Sequence, residues 1–142
     1  MAATATGSFF ERHAEVGTLV LRLFLGGVLV YGTADNVFSA ERMLEFERFL
    51  AERGTPFPLA AARLSVYAQF LCGLLVLAGA ATRLAGAVMV LNFIAALLIA
   101  HRGAPFQANI APLAMLSGSL FLLFHGAGPL SVDALRAARR RG

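Results

Sequence analysis

Residues Arg63–His101 read RLSVYAQFLCGLLVLAGAATRLAGAVMVLNFIAALLIAH. Between Ser65 and Ala100 the only charged side chain is Arg83. An amphipathic helix of a soluble domain keeps a polar face for water, and this stretch has none. A single helix of roughly 36 residues would run about 54 Å, against a bilayer hydrocarbon core of about 30 Å. The chain must therefore turn back once, and Gly79-Ala-Ala-Thr-Arg83 is the place. The stretch predicts a transmembrane helical hairpin with Arg83 at its tip.

Composition agrees. Of 142 residues 58% are hydrophobic, and the mean hydropathy is +0.74, above the usual apolar share of a soluble domain. The net charge is +4, and every one of the 12 basic residues is Arg. The single cysteine, Cys72, excludes an internal disulfide and a C-x-x-C redox pair. The chain has no zinc-ligand spacing, nucleotide-binding glycine motif or Ser-His-Asp signature, so no metal site is expected. A bis-histidine haem needs two histidines at one depth; His13, His101 and His125 fall at different depths.

Outward from the hairpin, the chain predicts an all-α membrane protein. It is a four-transmembrane-helix bundle with a short amphipathic helix between spans 1 and 2. The spans lie at about 16–34, 59–80, 84–100 and 110–126, with the loop helix at 39–53. Residues 1–15 form a polar lead and residues 131–142 a basic tail. The first apolar run is too long for a signal-peptide core and contains Arg22, so it reads as an uncleaved helix. In the loop helix Ser39 is the N-cap, Met43, Phe46, Phe49 and Leu50 form the apolar stripe, and Gly54 is the stop. In span 2, Ser65, Gln69, Cys72, Gly73 and Val76 form a small-and-polar face where another helix can approach. Span 3 places Ala85, Met89, Asn92 and Ala96 on one face. Span 4 is expected to start with Asn109 as its cap, and to carry Ala114, Gly118, Phe121 and His125 on one face.

Four spans bring both termini to one side, with Arg12, Arg83 and the tail arginines. Arg42, Arg48, Arg53 and Arg102 fall on the other. The positive-inside rule then favours both termini in the cytoplasm. Arg139, Arg140 and Arg141 suit anionic headgroups of the lipid bilayer, not nucleic acid. Arg22, two turns inside span 1, is read as structural or lipid-contacting, by pairing or by snorkelling.

Sorted by depth, Tyr31, Asp35, Arg63, Tyr67, Gln69, His101 and Asn109 fall in the outer half, and Asn92 lies centrally. Converging in the interior, Arg63, Tyr67, Gln69, Asn92, His101, Tyr31 and Asp35 would make a ligand pocket. Such groups suit a polar head group or a quinone ring. The alternative is that they serve as interhelical hydrogen bonds and interfacial anchors.

The chain resembles the DoxX family of bacterial membrane proteins over about Val16 to Leu130. The likeness rests on Leu21-Arg-Leu-Phe-Leu-Gly-Gly27 with Tyr31-Gly32, and on Gly54-Thr-Pro-Phe-Pro58. It rests further on Gln69-Phe-Leu-Cys-Gly-Leu-Leu-Val-Leu-Ala-Gly79, Thr82-Arg83 and His101. It departs at Tyr31-Gly32 and Asp35-Asn36, where relatives often carry a His-Gly and a Lys, and at Gln69, where they often carry Glu. The resemblance implies a four-helix bundle in the bacterial inner membrane and an accessory role in a redox complex. Quinone is then the cofactor class and a redox protein the partner. A scaffold or small-lipophile binder is the alternative, and a small-molecule transporter a third. No self-contained catalytic motif is present, and Gly73, Gly86 and Gly118 permit close packing within one copy or between copies of a homo-oligomer.

Overall fold

The computed structural model describes the backbone of residues 5–142 and the side chains of residues 13–142. The first four residues and the side chain of Arg12 lie outside the described residues. Six helices and no strand are found among the described residues. They are α1 (Ala5–Phe38), α2 (Ala40–Glu52), α3 (Pro58–Ala78), α4 (Thr82–Leu98), α5 (Phe106–His125) and α6 (Val132–Arg139). The segments His13–Phe38, Pro58–Ala78 and Phe106–His125 are long and apolar enough to cross a bilayer, and α4 is a shorter apolar helix. The protein is an all-α membrane bundle.

α1 is longer than its apolar run. The polar lead is already helical from Ala5, and the expected loop after Ala34 is helix as far as Phe38. Only Ser39, with φ −128° and ψ 117°, interrupts the path into α2. Its hydroxyl accepts the Arg42 N–H at 3.3 Å, the predicted N-cap. α2 buries Met43 and Leu50 against Ala62 and Val66 of α3, with Phe46 partly buried. Phe49 turns outward instead, with the Arg53 guanidinium 3.7 Å above its ring.

α1 packs on α3, α3 on α4 and α4 on α5, with a lighter α1–α5 contact. Lipid offers no hydrophobic drive between helices, so they hold by close packing, and glycine sets how close they come. A Cβ at Gly26 would stand 2.9 Å from the Gly73 carbonyl oxygen. A Cβ at Gly73 would stand 3.1 Å from the Gly26 carbonyl oxygen and 2.9 Å from Leu29 Cβ. Gly86 admits the α5 backbone at Ser119 and Leu123 in the same way. The interior holds Leu25, Leu29, Cys72, Val76, Ala85, Met89, Phe93, Met115 and Leu122. On α5 Phe121 and His125 share a face, their rings stacked 4.9 Å apart. Pro112, Met115, Gly118, Ser119 and Leu122 are buried, while Phe121 and His125 are exposed. The fit of Gly86 against Ser119 and Leu123 turns the helix to that side. Asn109 does not cap α5; Pro105 does, and the Asn109 amide donates back to the Ala104 and Pro105 carbonyls.

The α3–α4 hairpin turns at the expected place. Gly79 ends α3 in the left-handed region (φ 67°), with the Ala80 N–H on the Leu75 carbonyl. Ala81 follows at φ 48°, a conformation unfavourable for a residue with a Cβ. α6 holds this turn: Asp133 Oδ1 accepts from the Ala81 N–H at 2.8 Å and Oδ2 from the Thr82 N–H at 3.0 Å. The Asp133 N–H in turn donates to the Gly79 carbonyl.

Arg22 does not snorkel. It is 3% exposed, and its guanidinium donates to the Ala127 and Leu130 carbonyls at 2.6 and 2.8 Å. Gly79 makes room: a Cβ there would stand 2.8 Å from Arg22 Nη1. Thr18 and Glu15 meet His125 beside it, at 3.2 and 3.8 Å. The start of the first span, the hairpin turn, the end of α5 and α6 thus meet at one end of the bundle.

Gly73→Ala should lower stability by about 1–3 kcal/mol through overpacking. Gly27→Ala, where a Cβ meets nothing within 4 Å, should raise it by roughly 0.5–1 kcal/mol. Thermal denaturation of the two variants in detergent should show shifts of opposite sign.

Asp133 carries a pH dependence. Partial burial raises its pKa, but the N–H bonds from Thr82 and Ala81 and the field of Arg136 outweigh this and hold it below the ordinary 3.8. A carboxyl lowered on folding stabilises fully above its unfolded pKa, and that contribution is lost as pH falls through the folded value. Thermal stability should therefore fall on acidification below 3.8, and Asp133→Asn should be less stable at neutral pH with a flatter acid limb.

Candidate functional site

The end of the bundle opposite Arg22 contains a cavity of about 370 Å³ between α2, α3 and α4. Phe46 and Leu50 of α2 roof it, with Thr55 from the α2–α3 turn. Ala61, Leu64, Ser65 and Ala68 form the α3 wall; Val88, Leu91, Asn92, Ala95 and Ala96 form the α4 wall, with Ile99 and Ala100 just beyond. Leu64 and Leu91 are 74% and 70% exposed, so the cavity reaches the outer surface of the bundle between α3 and α4. In a bilayer that surface faces the acyl chains.

The cavity exists because its walls are small. Across from one another stand Ala61 and Ala68 on α3 and Ala95 and Ala96 on α4, where larger side chains would close the gap. The Thr55-Pro-Phe-Pro58 turn sets the roof: Pro58 begins α3, and Phe57 before it takes the left-handed conformation at φ 50°.

Polar groups in the walls are few and connected. The Ser65 hydroxyl donates to Asn92 Oδ1 at 2.9 Å, and Gln69 Nε2 donates to the Ser65 oxygen at 3.0 Å. This chain ties α3 to α4. It leaves Asn92 Nδ2 buried with no partner among the described residues, and Thr55 Oγ1 is likewise buried without one. Thr55 itself is 8% exposed. An unmade hydrogen bond at a buried donor costs about 1–3 kcal/mol, so such groups favour any ligand that supplies an acceptor.

Of the seven residues the sequence placed in a pocket, Asn92 lines the cavity and Gln69 joins it through Ser65. The other five do not line it. Tyr31 is 87% exposed, Asp35 and Arg63 are exposed, and Tyr67 is nearly half exposed. Shared depth did not mean a shared face. Arg63 and Tyr67 sit two positions either side of Ser65, roughly 200° around the helix, and Tyr31 stands the same distance from the buried Leu29 and Thr33. His101, half-buried, follows α4 with its N–H on the Ala96 carbonyl. The sequence reading missed Thr55 and the alanine walls; the alanines at 61, 68, 95 and 96 were the available signal. Arg139, Arg140 and Arg141 are exposed at the far end.

No group of three or more His, Cys, Asp or Glu with metal-binding geometry occurs among the described residues. Replacing Ser65 by Ala should lower stability by roughly 0.6 kcal/mol, the average for an interhelical polar contact in a membrane. Asn92→Leu removes the unpaired donor as well, so it should be milder than Ser65→Ala in thermal denaturation.

The DoxX family model matches residues 17–102, more than half of the chain, from within α1 through α4. Neither the curated proteins nor the solved structures compared with the chain gave a significant match.

Proposed function

The chain belongs to the DoxX family, and on that premise we propose that it holds a small carbonyl-bearing lipophile of the quinone class between α2, α3 and α4, as a non-catalytic part of a membrane redox system. The observation that carries this reading is the cavity with its buried unpaired donors, Asn92 Nδ2 and Thr55 Oγ1, in otherwise apolar walls. A volume of about 370 Å³ lies within the range of small-molecule sites. The exposed Leu64 and Leu91 at its lip suit a ligand that arrives from the bilayer. A ring carbonyl would accept from the Asn92 amide, and the alanine walls would pack on the ring faces. Ser65 in the wall would hold Asn92 in place, with Gln69 behind it. The redox role rests on the family resemblance. The arginines at the α6 end support a cytoplasmic membrane with both termini inside.

Calorimetric titration of the full chain in detergent with decylubiquinone tests the reading. Saturable binding is expected. Asn92→Leu should weaken it about 2–10-fold, the value of one hydrogen bond of 0.5–1.5 kcal/mol. Ala95→Phe, which fills the cavity, should abolish it, while Tyr67→Phe on the outer face should leave it unchanged. No saturable binding, or binding indifferent to Asn92→Leu and Ala95→Phe, would overturn the proposal.

A further inference from the structure

Two shallow grooves flank α6 at the other end of the bundle. One, of about 410 Å³, is lined by Ala81, Asp133, Arg136, Ala137, Arg140 and Arg141. The second, of about 440 Å³, shares Ala81 and Asp133 and adds Arg83 and His125. Asp133 is the one carboxylate lining either groove, and both its oxygens already accept backbone N–H groups. No carboxylate among the described residues stands within ion-pair distance of Arg83, Arg136, Arg140 or Arg141. Arg83 makes one long hydrogen bond, 3.5 Å to the His125 carbonyl.

Three exposed guanidinium groups, Arg136, Arg140 and Arg141, thus line the first groove beside the small residues Ala81 and Ala137, and Arg83 lines the second. On an α-helix Arg136 and Arg140 stand four apart, one above the other on the same face. A guanidinium presents a planar fork of donors that matches phosphate oxygens. Leu84, which lines the second groove, is 65% exposed, and Phe124, Leu130 and Leu135 in the adjoining α5–α6 segment are 74%, 57% and 63% exposed. A free inorganic anion has no use for exposed apolar side chains at the same end, whereas a phospholipid covers them with acyl chains.

We propose that the Arg136–Arg140 groove, with Arg141 at its side, binds the phosphate of an anionic phospholipid whose acyl chains lie along the exposed apolar side chains of this end. The bound headgroup joins α6 to the α3–α4 turn, adding to the hold that Asp133 already has on Ala81 and Thr82. This site is separate from the cavity near Asn92 and shares no residue with it.

The test uses the full chain in detergent, titrated with dioctanoyl phosphatidylglycerol, dioctanoyl phosphatidylcholine or inorganic phosphate. Binding is read by native mass spectrometry and by the shift in melting temperature. Phosphatidylglycerol should bind about tenfold more tightly than phosphatidylcholine, and inorganic phosphate should give no shift at the same concentration. The double variant Arg136→Gln/Arg140→Gln should lose about tenfold in phosphatidylglycerol affinity, as expected for lost charged hydrogen bonds. Arg48→Gln/Arg102→Gln removes the same charge at the opposite end and should leave it unchanged. Should the first double variant not fold, raising the salt to about 1 M on the wild-type chain should erase the preference for phosphatidylglycerol. Equal binding of the two lipids, an equal shift with phosphate alone, or equal loss in both double variants would overturn the proposal.

Discussion

Backbone touching backbone is the constraint on which the rest of this bundle depends. In lipid a leucine gains nothing by leaving its neighbours for another helix, so adhesion must come from contact area and polar bonds. Gly26 and Gly73 let α1 and α3 meet at the carbonyls of each, and Gly86 lets α4 receive the α5 chain at Ser119 and Leu123. These two crossings define two tight helix pairs. They also fix the rotation of each helix, and hence which side chains face inward.

The cavity lies where that closeness fails. α3 meets α4 through alanines and a serine, without a glycine crossing near the α2 end, and α2 lies across the gap that results. The polar chain from Gln69 through Ser65 to Asn92 spans the seam just below. Packing and binding are therefore two outcomes of one variable, the distance between neighbouring axes. The family match, residues 17–102, covers the whole of the cavity wall, while α5 and α6 beyond it brace the opposite end.

Much of this was legible in the sequence. The hairpin at Gly79–Arg83 follows from the length of an apolar run against the thickness of a bilayer, and the Ser39 cap follows from local hydrogen bonding. The small face of α3, with Cys72, Gly73 and Val76, was also visible. Rotation about the helix axis was not legible wherever a helix is apolar all round. α5 buries Met115 and Leu122, a side its nearly even hydropathy does not mark and that meets Gly86 on α4 through Ser119 and Leu123. For the same reason Tyr31, Arg63 and Tyr67 could be assigned a depth but not a direction. Asp133 was unreadable for another reason: its partners, Ala81 and Thr82, are about fifty residues earlier, and no periodicity links them.

Arg22 and its acceptors are farther apart still, 105 and 108 positions along the chain. During synthesis the first span must enter the membrane carrying a guanidinium whose carbonyl acceptors have not yet been made. Its neighbours Leu21, Leu23, Phe24 and Leu25 must carry it through insertion, against the cost of bringing an arginine into lipid. The bond closes only when the ribosome has passed Leu130 and the last span has folded back. A chain ending before Ala127 would lack both carbonyl acceptors of the Arg22 guanidinium.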